Sequence, residues 1–263
     1  MHSGLPGPVD LRAQALFDDL IACLPAKAEI DQVVVGLHWT AVVSQCQGQR
    51  RCGLASTIAG RHAHGEADDV SQPGEFGARN PPELASMTGS SRPTERAIGL
   101  AAINACLLST PGALPERSAF DLLVGRGAGQ RVGLVGHFPF IDRLRPQVGE
   151  LLVLDQEPQP DELPADSAAA ILPTCSVVAI TSMTLINGTF AGLMDHVDPA
   201  SYVVLLGPSS PLSPVVFDHG IDAVAGTLVT SIDPVLDAIG QGANYRQIHR
   251  LGTRLVTMRA SLD

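Results

Sequence analysis

Five short apolar runs in the second half of the chain limit its fold more than any other feature. They read "RVGLVG" (131–136), "ELLVLD" (150–155), "SVVAIT" (176–181), "YVVLLG" (202–207) and "AVAGTLV" (223–229). Each is continuous rather than alternating, as in strands covered on both faces of a parallel sheet. Helical segments fit between them at 141–145, 184–196, 214–219 and 234–239, the last behind Asp233 as its cap. This alternation predicts a doubly wound α/β fold with a mostly parallel sheet.

The first half has another rhythm. Residues 10–24 carry Leu, Phe and Ile at helical spacing, with Asp10 as cap, and 30–44 is β-branched and strand-like. Residues 50–58 are placed to pair with that strand as a hairpin. Residues 61–93 form a long polar stretch, rich in Gly and Pro, with one short helix near 82–87. A loop of that length is either functional or disordered. A helix from 93 to about 109 is apolar almost all round, so it should be buried on most sides. That singles out Asn104, whose amide needs partners, either a neighbouring loop or a ligand. "TPGALPERSAF" and "GRGAGQ" are linker-like. The expected division is a smaller α+β domain over 1–118 and an α/β domain over 119–263.

Of the 263 residues 45% are hydrophobic, enough for a sizeable core. A net charge of −10, with Lys27 as the one lysine, argues against a nucleic-acid partner, and Arg50-Arg51 is too short to act as a basic patch. The first residues lack a signal-peptide pattern, and "AIGLAAINACLL" (97–108) is too short to span a bilayer. A soluble, cytoplasmic protein is expected. The five cysteines (23, 46, 52, 106, 175) form no CxxC pair, and most read as small, reduced, buried residues.

Strands of a parallel sheet end on one side, so their exits converge. "GHFPF" places Gly136, His137 and Phe138 after the first run, where a dinucleotide fold would have GxGxxG; "GRGAGQ" precedes the strand instead. Asp155 closes the second run, nineteen residues beyond Gly136, about where an acidic residue meets a ribose hydroxyl. "TSMTLINGTF" sets Thr181, Ser182, Thr184 and Asn187 around a helix start. "GPSSPLSP" places Gly207, Pro208, Ser209 and Ser210 in a stiff loop, before a helix that Ser213 caps and Gly220 ends. "HAHGEADD" gathers His62, His64, Glu66, Asp68 and Asp69, most simply a solvated loop, while His137 and His219 are candidate metal ligands at element ends. No HExxH, nucleophile elbow or P-loop occurs.

"VGLVGHFPFIDRLR", "TSMTLINGTF" and "LLGPSSPLSPVVFDHGIDAVAGTLV" resemble the hallmark segments of the heavy-metal chelation domain family, whose members are uncharacterised. "NPPELAS" and "ERAIGLAAINA" resemble its N-terminal partner domain, and the likeness runs from about residue 30 to 240. The resemblance implies an enolase N-terminal-like domain packed on a Rossmann-like domain, a cleft between them as the site, and residues 61–93 as part of its wall. His137 stands where the family usually has tyrosine, adding a metal ligand, a proton carrier or only a ring. Ser182 and Met183 replace small residues.

Two functions follow as expectations. One is binding of a metal complex or small polar ligand in the interdomain cleft, with a divalent heavy metal as the implied cofactor. The other is a transferase, lyase or cyclase that uses S-adenosylmethionine or a nucleotide-type ligand on the Rossmann-like domain, with Asp155 as ribose partner. A purely structural protein is the third and weakest. The expected partners are a small-molecule or metal ligand and a second copy of the chain, with neither nucleic acid nor membrane.

Overall fold

A computed structural model describes residues 11–58, 69–107 and 118–260. Helix α1 (Leu11–Ala22) leads into an antiparallel sheet of β1 (Ala28–Val35), β2 (Trp39–Cys46) and β3 (Gln49–Ser56). The expected single strand over 30–44 is two strands. Gly36 opens the turn between them, and a Cβ there would lie 2.4 Å from the carbonyl oxygen of Ile239. β2 and β3 join through Gln47 and Gly48, both at positive φ (52° and 75°), the backbone of a tight primed hairpin turn.

Helix α2 (Pro81–Ala85) starts from Asn80, whose side chain accepts from the Glu83 N–H while Glu83 reaches back to the Asn80 N–H. Helix α3 (Pro93–Cys106) is buried along nearly its whole length. Small residues allow its close approach: a Cβ on Gly53 of β3 would lie 2.2 Å from the Ala101 carbonyl.

The second half comprises α4 (Ala119–Gly127), β4 (Arg131–Val135), α5 (Ile141–Leu144), β5 (Glu150–Asp155), β6 (Leu163–Pro164) and α6 (Ala168–Ile171). It continues through β7 (Val177–Thr181), α7 (Met183–Asn187), α8 (Phe190–Met194), β8 (Tyr202–Leu206) and β9 (Ala223–Val229), then α9 (Ile232–Gly240), α10 (Tyr245–Gly252) and β10 (Thr253–Arg259). All five apolar runs are strands, as the sequence predicts. The seven strands lie in the order β10-β9-β8-β7-β4-β5-β6, parallel except for β10. Order reverses between β4 and β7, where loops leave in opposite directions and open a crevice at the strand ends. The helix expected over 184–196 is two short ones, because Gly188 takes a left-handed conformation (φ 79°) and ends the first. Residues 214–219 form a 3-10 helix, which Ser213 caps by accepting from the Val215 N–H.

Side-chain alternation divides the core. Val177, Ala179, Val204 and Leu206 face Leu123 of α4 and Leu144 of α5. Val178, Ile180, Val203 and Leu205 face the other way, in one cluster with Leu16 of α1 and Ile98 of α3. The small sheet is covered twice: Val42 joins that shared cluster, while Trp39, Ala41 and Val43 pack on Val235, Ile239 and Ile248 of α9 and α10. Trp39 also meets the Tyr245 ring at 5.6 Å. The C-terminal helices thus close over the N-terminal sheet. Among the described residues no helix is long and apolar enough to cross a membrane. Asp10 and the cluster from His62 to Asp68 lie outside the described residues.

Candidate functional site

A cavity of about 300 Å³ lies between the two sheets. Arg51, Cys52 and Gly53 of β3 form one wall, and Thr227 to Val229 of β9, followed by Thr230, the other. Asn104 of α3 and Ser210 and Leu212 of the loop after β8 lie between them. This is the carboxyl edge of the parallel strands. A wider cavity of about 480 Å³, lined by Ser201, Val203 and Asp222, opens at their amino edge, away from the crevice where such sheets hold ligands.

The loop after β8 is fixed from several directions. The Gly207 N–H donates to Ala225 O (3.0 Å) and the Ser210 N–H to Gly207 O (3.0 Å). Gly207 has φ 131°, and a Cβ there would stand 2.7 Å from Ser182 Oγ, so both conformation and space require glycine. Pro208 and Pro211 restrict φ and remove two donors. Ser209 is fully buried, and its hydroxyl accepts from the Ser56 N–H at 2.8 Å. Of the two adjacent serines of this candidate loop only Ser210 lines the cavity, because β3 runs alongside and takes the Ser209 hydroxyl.

Asn104 ties three segments together. Its amide donates to Leu54 O (2.9 Å) and Ser209 O (3.1 Å). Two carbonyl partners fix which end is nitrogen, so Oδ1 is left buried with no partner. Ser210 Oγ is also buried and unpartnered. Each such group costs about 1–3 kcal/mol. Two lie in residues that line the same cavity.

The other expected residues lie along the strand-end crevice. A Cβ on Gly136 (φ 103°) would lie 3.0 Å from Thr181 Cγ2, so the exits of β4 and β7 touch. The Ser182 N–H donates to Leu206 O at 2.8 Å, which sets "TSMTLINGTF" beside "GPSSPLSP". Ser182 Oγ is buried without a partner. Thr184 Oγ1 donates to Thr181 O (2.7 Å), Asn187 Oδ1 accepts from the Thr189 N–H and hydroxyl, and Asp155 Oδ1 accepts from the Glu157 N–H. Those three therefore already serve local turns. Phe138 stacks on Phe140 at 5.3 Å.

The two candidate metal histidines are not brought together. His137 Nδ1 lies 2.6 Å from Glu162 Oε1, and His219 Nε2 lies 2.9 Å from Asp19 Oδ2. Burial pushes the Glu162 carboxyl up, but the Gln159 N–H, His137 and Arg145 together hold it below the usual range. Among the described residues no three His, Cys, Asp or Glu side chains come together to hold a metal ion. Burial pushes the Cys52 thiol up to about 12, and the charge of Arg50 pulls it back only in part.

Sequence reasoning missed Arg51, Cys52, Thr227 and Thr230. The signal for the first two was "QRRC", too short to count as a patch until β3 is laid beside β9, and the threonines sit in and just after an apolar strand run that marks neither of them.

Comparison with known proteins agrees with this architecture. An uncharacterised protein of Methanocaldococcus jannaschii is 26% identical over 212 residues, which cover 76% of this chain and 78% of that one. A crystal structure of a DUF364-family protein of unknown function from Desulfitobacterium hafniense superimposes with a TM-score of 0.81 at 24% identity, covering 95% of this chain and 100% of the other. A second DUF364-family structure, from Pyrococcus horikoshii, gives 0.80 at 18% identity, covering 94% and 99%. These two likenesses carry the fold. Residues 17–107 match the DUF4213 family and residues 118–258 the DUF364 family, both described as "Putative heavy-metal chelation". With more than half its length matched by DUF364 alone, the chain belongs to that heavy-metal chelation family.

Proposed function

We propose that this chain binds a small polar molecule or a metal complex in the cleft between its two sheets. The observation that carries the reading is the cavity wall: it draws on β3, α3, the loop after β8 and β9, and includes two residues with buried, unsatisfied polar atoms. A site built from both halves also gives the smaller unit (1–118, enolase N-terminal-like in this reading) and the larger one (119–263, Rossmann-like) a shared purpose. The family description brings a heavy metal with it, but the described residues do not fit a bare ion. They offer no cluster of three metal-ligating side chains, and burial favours the protonated form of the Cys52 thiol. A metal would arrive as a complex with donors of its own. Native mass spectrometry of the purified protein tests the reading: a bound small molecule or complex, lost in a Ser210→Leu variant that fills the cavity, supports it. A bound species of unchanged occupancy in the folded variant overturns it.

A second reading is an enzyme with a nucleotide-type ligand or S-adenosylmethionine at the strand-end crevice. Gly136, at positive φ beside Thr181 where the strand order reverses, favours it. A thermal shift with S-adenosylmethionine that Asp155→Ala abolishes would support this reading; no shift in the wild type would remove it.

A further inference from the structure

We infer that His137 and Glu162 form a proton-accepting dyad at the exit of β4, with His137 as general base for a hydroxyl, of water or of an alcohol, that adds to an acyl ester. Both residues lie outside the described wall of the cavity between the sheets, so their chemistry does not depend on what binds there. His137 follows Gly136 at the carboxyl end of β4, where the strand order reverses and α/β sheets place their ligands. The backbone sets the two partners on one row. The Gly136 N–H donates to Leu154 O at 2.8 Å, Leu154 pairs with Leu163 of β6, and Glu162 is the residue before Leu163. A two-residue strand thus brings the carboxylate to the imidazole, and Glu162 Oε1 meets His137 Nδ1 at 2.6 Å.

Exposure separates the two roles. The Glu162 side chain is 4% exposed and the His137 side chain 56%. Burial works against the ionised Glu162 carboxyl, but the Gln159 N–H (2.9 Å to Oε2), His137 and Arg145 outweigh it. An ionised carboxylate only accepts, so Nδ1 is the nitrogen that carries a proton toward it. The lone pair of the neutral ring then sits on Nε2, on the side away from the buried partner. His219 has the opposite arrangement: its Nε2 is tied to Asp19, and its own side chain is only 12% exposed. A base placed like His137 moves one proton twice. Nε2 takes the hydroxyl proton as the oxygen bonds to the acyl carbon, then returns it to the departing alkoxide as the ester C–O bond breaks. With water, ester and water become acid and alcohol, and nothing else is consumed. Glu162 stays ionised and holds the ring in place, as a positioning residue.

Hydrolysis of p-nitrophenyl acetate by the full chain, read as release of p-nitrophenol, tests this. The wild type is expected to exceed free imidazole at a matched concentration of histidine side chains. His137→Gln should lower that excess by about tenfold or more, and added imidazole should restore part of it in His137→Gly. Absence of that rescue in the folded variant places His137 outside the reaction and overturns the inference. Glu162→Gln keeps an acceptor for the Nδ1–H but removes its charge, so kcat should fall while KM stays. A melting temperature lowered by Glu162→Gln with kcat unchanged would make Glu162 a structural residue only and overturn the dyad. His38 and His196 are exposed as well and serve as controls. A wild-type rate no higher than free imidazole, or equal losses in His38→Gln and His196→Gln, assigns the hydrolysis to ordinary surface imidazoles and overturns the inference.

Discussion

Asn104 of α3 donates one amide N–H to Ser209 O at 3.1 Å and the other to Leu54 O at 2.9 Å, so a single side chain holds α3, β3 and the loop after β8 in one arrangement. Replacing it with leucine strands two carbonyls at the junction of the sheets. Asn104→Leu is expected to lose about 1–3 kcal/mol of unfolding free energy. Urea denaturation measures it; a midpoint equal to the wild type would show that the amide contributes nothing net.

Gly207 and Ser182 give a coupled pair. Alanine at 207 is strained twice, by a φ of 131° and by a Cβ 2.7 Å from Ser182 Oγ. Ser182→Ala removes a buried hydroxyl with no partner, so it should be neutral or slightly stabilising. Gly207→Ala should cost roughly 1–3 kcal/mol from backbone strain. The double variant should lose less than Gly207→Ala alone, because the clash has gone while the φ penalty stays. Simple additivity in thermal unfolding would place the strain wholly in the backbone.

Much of this arrangement was legible in the sequence, for physical reasons that can be named. The parallel strands are continuous apolar runs because both faces are covered, as Val178 and Val177 show by joining opposite clusters. Asn104 stood out as an amide on an apolar helix. What was not legible depends on tertiary approach. β10 is an antiparallel edge strand with Leu255 exposed, so it lacks the continuous pattern. The break between β1 and β2 follows from α9 lying over Gly36, two hundred residues away. Glu162 finds His137 across twenty-five residues, a pairing no spacing rule flags.

Glu95 ties the start of α3 to the segment before it. Its carboxylate accepts from the Ser71 N–H (2.6 Å), Arg92 Nη1 (3.0 Å) and the Ser90 hydroxyl. Burial raises its pKa, but these donors outweigh that and bring it down to about 2 from the ordinary 4.5. A depressed folded-state pKa means stability present above the unfolded value and lost as pH falls toward 2. Glu95→Gln should lower stability at neutral pH by roughly 2–3 kcal/mol and flatten the decline between about pH 5 and 2. Parallel pH–stability curves for the two proteins would refute this.

The cysteines should differ sharply in reactivity. Cys23 is exposed, whereas burial raises Cys52 to about 12 and Cys106 to about 11. The thiolate is the reacting species. Iodoacetamide at neutral pH is therefore expected to modify Cys23 in the folded protein and all five after denaturation, as peptide mass spectrometry would read. Fast native labelling of Cys52 would contradict its protonated state and reopen it as a metal donor.

Ser209 and Ser210 are adjacent hydroxyls with opposite expected phenotypes. Ser209 Oγ accepts from the Ser56 N–H at 2.8 Å and lies 3.2 Å from Ser56 Oγ, all of it buried. Ser209→Ala leaves a buried N–H of β3 unpaired and should cost about 1–3 kcal/mol, while the cavity wall keeps its composition. Ser210 Oγ has no partner, so Ser210→Ala removes an unsatisfied buried group and should leave stability unchanged or slightly raised. Its effect should appear in binding. A ligand that hydrogen-bonds this hydroxyl loses about 1 kcal/mol without it, several-fold in affinity. Thermal unfolding and calorimetry on the two single variants separate the roles, with Ser209→Ala moving the melting temperature and Ser210→Ala the dissociation constant. If Ser210→Ala changes neither, the stiff proline-flanked loop only delivers the chain to the helix that Ser213 caps, and the ligand contacts in the cleft lie with Asn104 and β9.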